Sequence, residues 1–230
     1  MKPLQVTLVF AHPDDESFMM GGTVRKLVEH GHHVSLYTAT SGDAGKYGHL
    51  QFDHRQQYAQ KRREELHNAC DYLGIESLTI GPFLDKGLSS LPEGILVAAV
   101  RDALVKTQAE IVFTFPEDGF SGHPDHTAIS KAVFATIPTI PGVIKLYVGA
   151  SPKETLRHRA TTTIDIEAQR TAKMHALLAH ETQVFSVERV YPDLTTHHEV
   201  CLSKTEQFIL AWQQGQWWPG ISNTETDFLR

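Results

Sequence analysis

Apolar residues in this chain form short continuous runs that alternate with segments of helical spacing. The runs at Leu4–Ala11, His33–Thr40 and Ile111–Phe115 are rich in branched side chains and predict buried strands. Between them, apolar positions recur every three or four residues, which is the period of an amphipathic helix. The other expected elements are helices at 17–30, 54–73, 95–105, 126–135 and 168–179 and strands at 78–80, 143–148 and 161–166.

This alternation predicts an α/β fold with three layers. Near-continuous apolar strands are typical of a mostly parallel sheet that helices cover on both faces. We expect a single domain over residues 1–230. The pattern is less regular after about residue 180, where a small β extension with strands at 198–202 and 207–212 is expected.

Composition narrows the class of partner. The 230 residues are 41% apolar, enough for a sizeable core, and carry a net charge of -6. This charge argues against nucleic acid or an anionic membrane as a partner. No signal peptide or membrane span is expected, because the chain has no apolar stretch of the required length. Cys70 and Cys201 lie far apart and do not have metal-site spacing, so we expect a reducing, cytoplasmic location.

Two compact clusters of His and Asp follow predicted strands. The first is His12-Pro13-Asp14-Asp15-Glu16, and the second is His123-Pro124-Asp125-His126. In open α/β sheets, ligands bind beyond the carboxyl ends of the strands. Since both clusters follow strands directly, we expect them to meet at the same edge of the sheet.

The residue types in these clusters are those of a catalytic metal site. His12 and Asp15 are three residues apart in a turn that leads into a helix, and His126 could supply a third ligand. Two nitrogens and one carboxylate leave a position open for water. Such a set suits Zn²⁺, although Fe²⁺ or another divalent ion could also occupy it.

The neighbouring residues suggest acid and base roles. Asp14 and Asp15 should point in different directions, so that one could bind metal while the other acts as general base. His123 could hold a proton and donate it to an oxyanion or a leaving amine, and Asp125 could orient an imidazole. Either cluster alone could be an ordinary turn with a helix-capping Asp; the occurrence of both after strands favours a site.

The two motifs resemble the LmbE-like, or PIG-L, family of zinc-dependent N-acetylglucosaminyl deacetylases. The resemblance extends to Gly21-Gly22, Thr40–Gly45, Arg62–Gly74 and His180–Gln183, and is poor in the C-terminal segment. It implies a Rossmann-like fold and the removal of an acetyl group from an N-acetylglucosamine conjugate, a small-molecule substrate.

The resemblance also implies a role for individual residues. By motif position, the metal ligands are His12, Asp15 and His126, the general base is Asp14, the oxyanion-stabilising residue is His123, and the contacts to the polar end of the substrate are Arg62 and Asp85. The aglycone is left open. A homo-oligomer is compatible with the sequence, since the Trp217-Trp218-Pro219 cluster could cover either the core or a second subunit.

Other functions fit parts of the pattern. Two His and one carboxylate also describe non-haem iron oxygenases, but their usual host is an all-β barrel. A phosphoesterase would need a second metal or a phosphate-binding glycine loop, and Gly21-Gly22 lacks the required spacing. A non-catalytic nucleotide or sugar binder would keep the fold without needing Asp14 beside a ligand carboxylate.

Overall fold

A mostly parallel β-sheet forms the middle layer of the protein. The computed structural model describes residues 2–92, 94–150 and 161–217. Its strands are β1 (Gln5–Phe10), β2 (His33–Thr40), β3 (Ser77–Phe83), β4 (Ile111–Thr114), β5 (Lys145–Gly149), β6 (Thr162–Asp165), β7 (Thr205–Gln213) and β8 (Gln216–Trp217). In space the order is β3-β2-β1-β4-β5-β7-β6, with β8 paired to β7.

The sheet reverses its direction of growth between β1 and β4. From β1 the chain adds β2 and β3 in parallel on one side, and then returns to place β4 and β5 in parallel on the other side. Strand β7 pairs antiparallel with β5 and β6. Such a reversal opens a crevice at the carboxyl ends of the two central strands. The residues that follow β1 and β4 therefore face a common crevice.

Helices cover both faces of the sheet, as the alternating pattern predicts. They are α1 (Asp15–Glu29), α2 (Arg55–Leu73), α3 (Ile95–Lys106), α4 (Gly119–Gly122), α5 (Pro124–Thr136), α6 (Arg170–Ala179), α7 (Val184–Val190) and α8 (Leu194–His197). Helices α1, α2 and α6 pack on one another, and α3 packs on α5. Right-handed crossovers that move in opposite directions along a sheet place their helices on opposite faces, which accounts for the two groups.

A buried ion pair supports the middle of α1, where the helix is interrupted at Met20. Glu206 of β7 accepts hydrogen bonds from the backbone N–H groups of Gly22 (3.1 Å) and Thr23 (2.7 Å), and Lys173 of α6 lies 2.6 Å from the same carboxylate. Both side chains are almost fully buried. The carboxylate thus binds two N–H groups that lie just after the interruption.

The glycine pair allows α1 to approach its neighbours. A Cβ on Gly22 would lie 2.5 Å from Cδ1 of Ile166, which follows β6, and one on Gly21 would lie 3.2 Å from Cγ of Lys173. No side chain larger than hydrogen fits at Gly22 without displacing Ile166. The Gly21-Gly22 pair therefore allows α1 to pack closely against Lys173 and Ile166.

The C-terminal part differs from expectation. The predicted strand at 198–202 is wrong, because His198–Cys201 forms a 3₁₀ turn with Val200 64% exposed. The predicted strand at 207–212 is present within β7, which lies inside the main sheet and is not a separate extension. Trp217 stacks on Phe134 with ring centroids 5.2 Å apart, while Trp218 and Pro219 lie outside the described residues. Among the helices described, none has the length and apolar content of a membrane span.

Candidate metal centre

Three side chains from the two motifs converge at the crevice. His12 follows β1, Asp15 begins α1, and His126 lies in the first turn of α5. His12 Nδ1 is 3.1 Å from His126 Nε2, which is 3.4 Å from Asp15 Oδ1, and His12 Nδ1 is 3.7 Å from Asp15 Oδ2. Ligands of a tetrahedral zinc ion, each about 2.0–2.1 Å from the metal, lie roughly 3.4 Å from one another. The nitrogen–nitrogen distance is thus close to that of two ligands of one ion, and a different oxygen of Asp15 faces each ring. Among the described residues, His12, His123 and His126, and separately His12, Asp85 and Asp125, place one ligand atom each within 4.8 Å of one another.

The hydrogen bonds of the two imidazoles support a cation at this position. His12 Nε2 lies 3.0 Å from Asp85 Oδ1, and His126 Nδ1 lies 3.1 Å from the carbonyl oxygen of Gly119. A neutral ring that donates from its outer nitrogen presents a lone pair from its inner nitrogen. Two lone pairs and a carboxylate oxygen then face one another, an arrangement that a divalent cation stabilises. The residues present fit a metal ion.

Two further carboxylates surround His12. Asp85 follows β3, and Asp125 Oδ2 lies 3.3 Å from His12 Nε2. Burial alone lowers the pKa of His12, but hydrogen bonds to Asp125 and Asp85 outweigh it and raise the pKa to about 10. A site that attracts a proton so strongly has a negative potential, which also favours a divalent cation.

The loops around the site hold these carboxylates in place. Asp125 accepts hydrogen bonds from the backbone N–H groups of Lys86 (2.6 Å) and Leu88 (3.1 Å). Asp85 accepts one from the N–H of Ala44 at 3.1 Å. The loops after β2 and β3 are therefore tied to the start of α5, and the orientation of the His12 ring depends on all three segments.

Asp15 and His126 are fixed by their own surroundings. Asp15 Oδ2 accepts hydrogen bonds from the backbone N–H groups of Ala11 (3.2 Å) and His12 (2.7 Å), which turns Oδ1 toward His126. Burial raises the pKa of Asp15, but the two imidazoles outweigh it, so the net shift is downward. The ring of Phe115 stacks on that of His126 with centroids 4.0 Å apart. Both side chains are thus held in position by the protein itself.

His123 lies beside the cluster as the N-cap of α5. Its Nδ1 accepts a hydrogen bond from the N–H of Asp125 at 3.2 Å, and its ring centroid is 4.9 Å from those of both His12 and His126. Burial lowers the pKa of His123, and the two neighbouring imidazoles lower it further. Because Nδ1 is the acceptor, the neutral ring carries its proton on Nε2 and can donate from there.

Asp14 adopts a left-handed backbone conformation, with φ 106° and ψ -27°. For a residue with a Cβ such a conformation costs on the order of 1–3 kcal/mol, and it persists only where the surroundings impose it. The Asp14 carboxylate lies 3.2 Å from Nη2 of Arg62. Burial raises the pKa of Asp14 to about 6, although Arg62 acts in the opposite direction.

The two residues expected at the substrate have partners within the protein. Arg62 is only 2% exposed, and its guanidinium donates to the carbonyl oxygens of Pro13 and, at 3.2 Å, Gly42 in addition to pairing with Asp14. Asp85 is also buried and holds His12. In this structure both side chains contact groups of the site, and their contact with a substrate stays a prediction.

Sequence reasoning gave no role to Glu16, although it lies in the first motif. Its side chain is fully buried and lies 3.0 Å from Nε2 of His180, a residue of the His180–Gln183 segment that also resembles the family. An acidic residue in the first turn of a helix is ordinarily a partner of the helix dipole, so the sequence carried no signal of this pairing.

Comparison with known proteins agrees with the motifs. A family model for PIG-L, GlcNAc-PI de-N-acetylase, matches residues 7–137. A probable N-acetyl-alpha-D-glucosaminyl L-malate deacetylase 2 of Bacillus cereus is 31% identical over 185 residues, covering 77% of this chain and 83% of the relative. A 1D-myo-inositol 2-acetamido-2-deoxy-alpha-D-glucopyranoside deacetylase of Thermobispora bispora is 27% identical over 243 residues, covering 80% of each chain.

A solved structure shares the fold. The N,N'-diacetylchitobiose deacetylase of Pyrococcus horikoshii superposes with a TM-score of 0.71 at 19% identity, covering 89% of this chain and 82% of the other. The family model spans both motifs and more than half of the chain, so the protein belongs to the PIG-L, or LmbE-like, family of N-acetylglucosaminyl deacetylases.

Proposed function

We propose that this protein is a metal-dependent amide hydrolase that removes the N-acetyl group from an N-acetylglucosamine-type conjugate. The observation that carries the proposal is the convergence of two imidazoles and a carboxylate from the two motifs. His12 Nδ1 lies 3.1 Å from His126 Nε2, and the Asp15 carboxylate contacts His126 through Oδ1 at 3.4 Å and His12 through Oδ2 at 3.7 Å. Family membership supports the reaction type, because the named relatives are deacetylases of acetylated amino sugars.

The metal would be held by His12 Nδ1, Asp15 Oδ1 and His126 Nε2. Two imidazoles and one carboxylate are a donor set that zinc accepts, and Fe²⁺ or another divalent ion can bind the same set. A zinc ion so bound acts as a Lewis acid and lowers the pKa of water to about 7. Asp85 and Asp125 would hold the His12 ring in its ligating orientation by accepting its Nε2 proton.

Asp14 would serve as the general base. A base near neutrality is best suited to accept a proton from water at physiological pH, and the pKa of Asp14 is raised to about 6 by burial. Arg62 holds one carboxylate oxygen and the preceding carbonyl group, so it would fix the carboxylate's direction. Its role is then to position Asp14.

His123 would stabilise the negative charge that develops on the acetamide oxygen. Its Nδ1 is occupied by a backbone N–H, which leaves Nε2–H as the donor. Its lowered pKa keeps the ring neutral near pH 7, and a neutral imidazole is a sufficient donor for an oxyanion. The water deprotonated by Asp14 would add to the acetamide carbon, and transfer of that proton to the sugar nitrogen would break the C–N bond and release the free amine and acetate.

The proposal extends to substrate class and location. The substrate would be a small acetylated amino-sugar conjugate, with the aglycone unspecified. A cytoplasmic location is supported by Cys70 and Cys201, both of which carry free thiols.

The parallel sheet argues against an iron oxygenase, whose usual host is an all-β barrel. A non-catalytic sugar binder would not require a second carboxylate, that of Asp14, next to the metal ligand Asp15.

Release of free amine from a panel of N-acetylglucosaminides, with and without chelator, tests the proposal. We expect activity that chelation abolishes and added zinc restores. In Asp14→Asn, metal content should remain at the wild-type level while kcat falls by about 10²–10⁴-fold, the usual contribution of a general base. Full activity in this variant would refute the role of Asp14, and activity insensitive to chelator would refute the metal.

A further inference from the structure

A fully buried carboxylate lies directly behind the proposed base. Glu16 has no exposed surface and makes three hydrogen bonds. Its Oε2 accepts from the backbone N–H of Asp14 at 3.1 Å, and its Oε1 accepts from Oγ of Ser17 at 2.6 Å and from Nε2 of His180 at 3.0 Å. A charged side chain is retained without solvent only where such bonds replace its hydration.

The bond to the Asp14 N–H constrains a residue that is already strained. Asp14 has φ 106°, a conformation that residues with a Cβ avoid. Arg62 pairs with the carboxylate of Asp14, and Glu16 accepts a hydrogen bond from its backbone N–H. Rotation about φ changes the position of the Asp14 carboxylate relative to its backbone N–H. We therefore expect that loss of either contact allows Asp14 to move toward a negative φ.

Glu16 is in turn fixed from a distant part of the chain. His180 lies at the C-terminal end of α6 and is 1% exposed. The residues that follow it are anchored to α2, because Glu65 accepts hydrogen bonds from the N–H (2.9 Å) and Oγ1 (2.6 Å) of Thr182, and Gln183 donates to Tyr58 at 2.8 Å. The His180–Gln183 segment therefore connects α2 with the first motif.

We propose that Glu16 and His180 are positioning residues that hold Asp14 in its strained backbone conformation. This inference rests on the proposed function, in which Asp14 is the base. It gives a role to the His180–Gln183 segment, none of whose side chains belongs to the metal-binding set. Glu16 acts on the backbone of Asp14, and His180 acts by fixing the carboxylate of Glu16.

The chain offers a matched control on the same helix. Glu206 also accepts hydrogen bonds from backbone N–H groups of α1 and pairs with a buried cationic side chain of α6, Lys173. Its bonds go to Gly22 and Thr23, away from the metal-binding motif. Glu206→Ala therefore removes a comparable buried contact of α1 without touching Asp14.

The test compares the zinc-loaded full chain with Glu16→Ala, Glu16→Gln, His180→Ala and Glu206→Ala. In Glu16→Ala and His180→Ala we expect kcat to fall about 10- to 100-fold, the cost of a misplacement of roughly 1 Å, with KM and metal content unchanged. Glu16→Gln should recover most of kcat, because its amide oxygen still accepts from the Asp14 N–H. Glu206→Ala should lose thermal stability and keep kcat within about twofold.

A parallel loss of kcat in Glu206→Ala, or no rescue by Glu16→Gln, would overturn the inference in favour of a general structural role. A crystal structure of Glu16→Ala gives a readout that does not depend on activity. We expect Asp14 to leave its positive φ, and its retention would overturn the inference. If the wild type cleaves no acetamido sugar, the proposed function fails, and the structure alone decides whether Glu16 holds Asp14.

Discussion

Replacement of Arg62 by methionine should destabilise the protein strongly. Arg62 is buried and pairs with the Asp14 carboxylate, whose side chain is 14% exposed. Removal of one member of a buried pair leaves the other charge uncompensated and costs about 3–5 kcal/mol. Since Asp14 keeps some contact with solvent, we expect about 3 kcal/mol. For a chain of this length, that corresponds to a decrease in Tm of roughly 6–12 °C.

Thermal unfolding monitored by circular dichroism measures this effect. Chelator is present in every sample, because a metal that binds the folded state would add stability by mass action. The matched control is Arg25→Met in α1, whose ion pair with Glu29 is solvent-exposed on both sides, with side chains 37% and 39% exposed. An exposed pair contributes about 0–1 kcal/mol, so the control should lower Tm by less than about 4 °C.

A double-mutant cycle separates the unpaired charge from lost packing. In Arg62→Met combined with Asp14→Asn, no charge is left without a partner, so the double variant should be more stable than the sum of the single effects indicates. We expect a coupling of about 1–3 kcal/mol. Additive effects, or equal shifts for Arg62→Met and Arg25→Met, would refute the view that Arg62 compensates the charge of Asp14.

Three further outcomes follow from the structure. Asp85→Asn should weaken zinc binding by about 10–100-fold, measured by competition with a chelator, because His12 loses a carboxylate acceptor; unchanged affinity would contradict this. Burial lowers the pKa of His32 below 6.5, so the folded state resists its protonation, and stability should fall as pH drops below that value. His32→Asn should flatten this fall in unfolding experiments, and an identical slope would count against it. Gly22→Ala should cost about 1–3 kcal/mol, since its Cβ would lie 2.5 Å from Ile166 Cδ1; an unchanged Tm would argue against close packing there.

The regular elements could be predicted because their signal is local. Strand β2 has the predicted bounds, His33–Thr40, and α2 begins one residue later than predicted. Side-chain periods of two and 3.6 residues are set within a few residues of sequence, so burial of one face is visible in the pattern itself. The segment at 198–202 shows the limit of this local signal. Its short apolar run fits a strand, yet His198–Cys201 forms a 3₁₀ turn.

The contacts of Arg62 and Asp85 within the protein could not be predicted from the sequence in the same way. Arg62 lies in a run of charged residues that is typical of a solvated helix face, and family resemblance placed both residues at the substrate. The structure pairs Arg62 with Asp14, 48 positions earlier in the numbering of the chain, and Asp85 with His12. Which residues so distant in sequence form an ion pair depends on how the layers pack. The local sequence pattern does not encode that packing.

The sequence by itself determined which imidazole and carboxylate groups follow the ends of the strands, because side-chain chemistry and strand burial are properties of residue type and spacing. Only the tertiary structure decided that one ring nitrogen of His12 faces both Asp85 and Asp125, and that Glu16 meets His180 across 164 positions of sequence. Hydrogen bonds form only within about 3 Å, and a separation of that kind is fixed by the folded arrangement of distant segments.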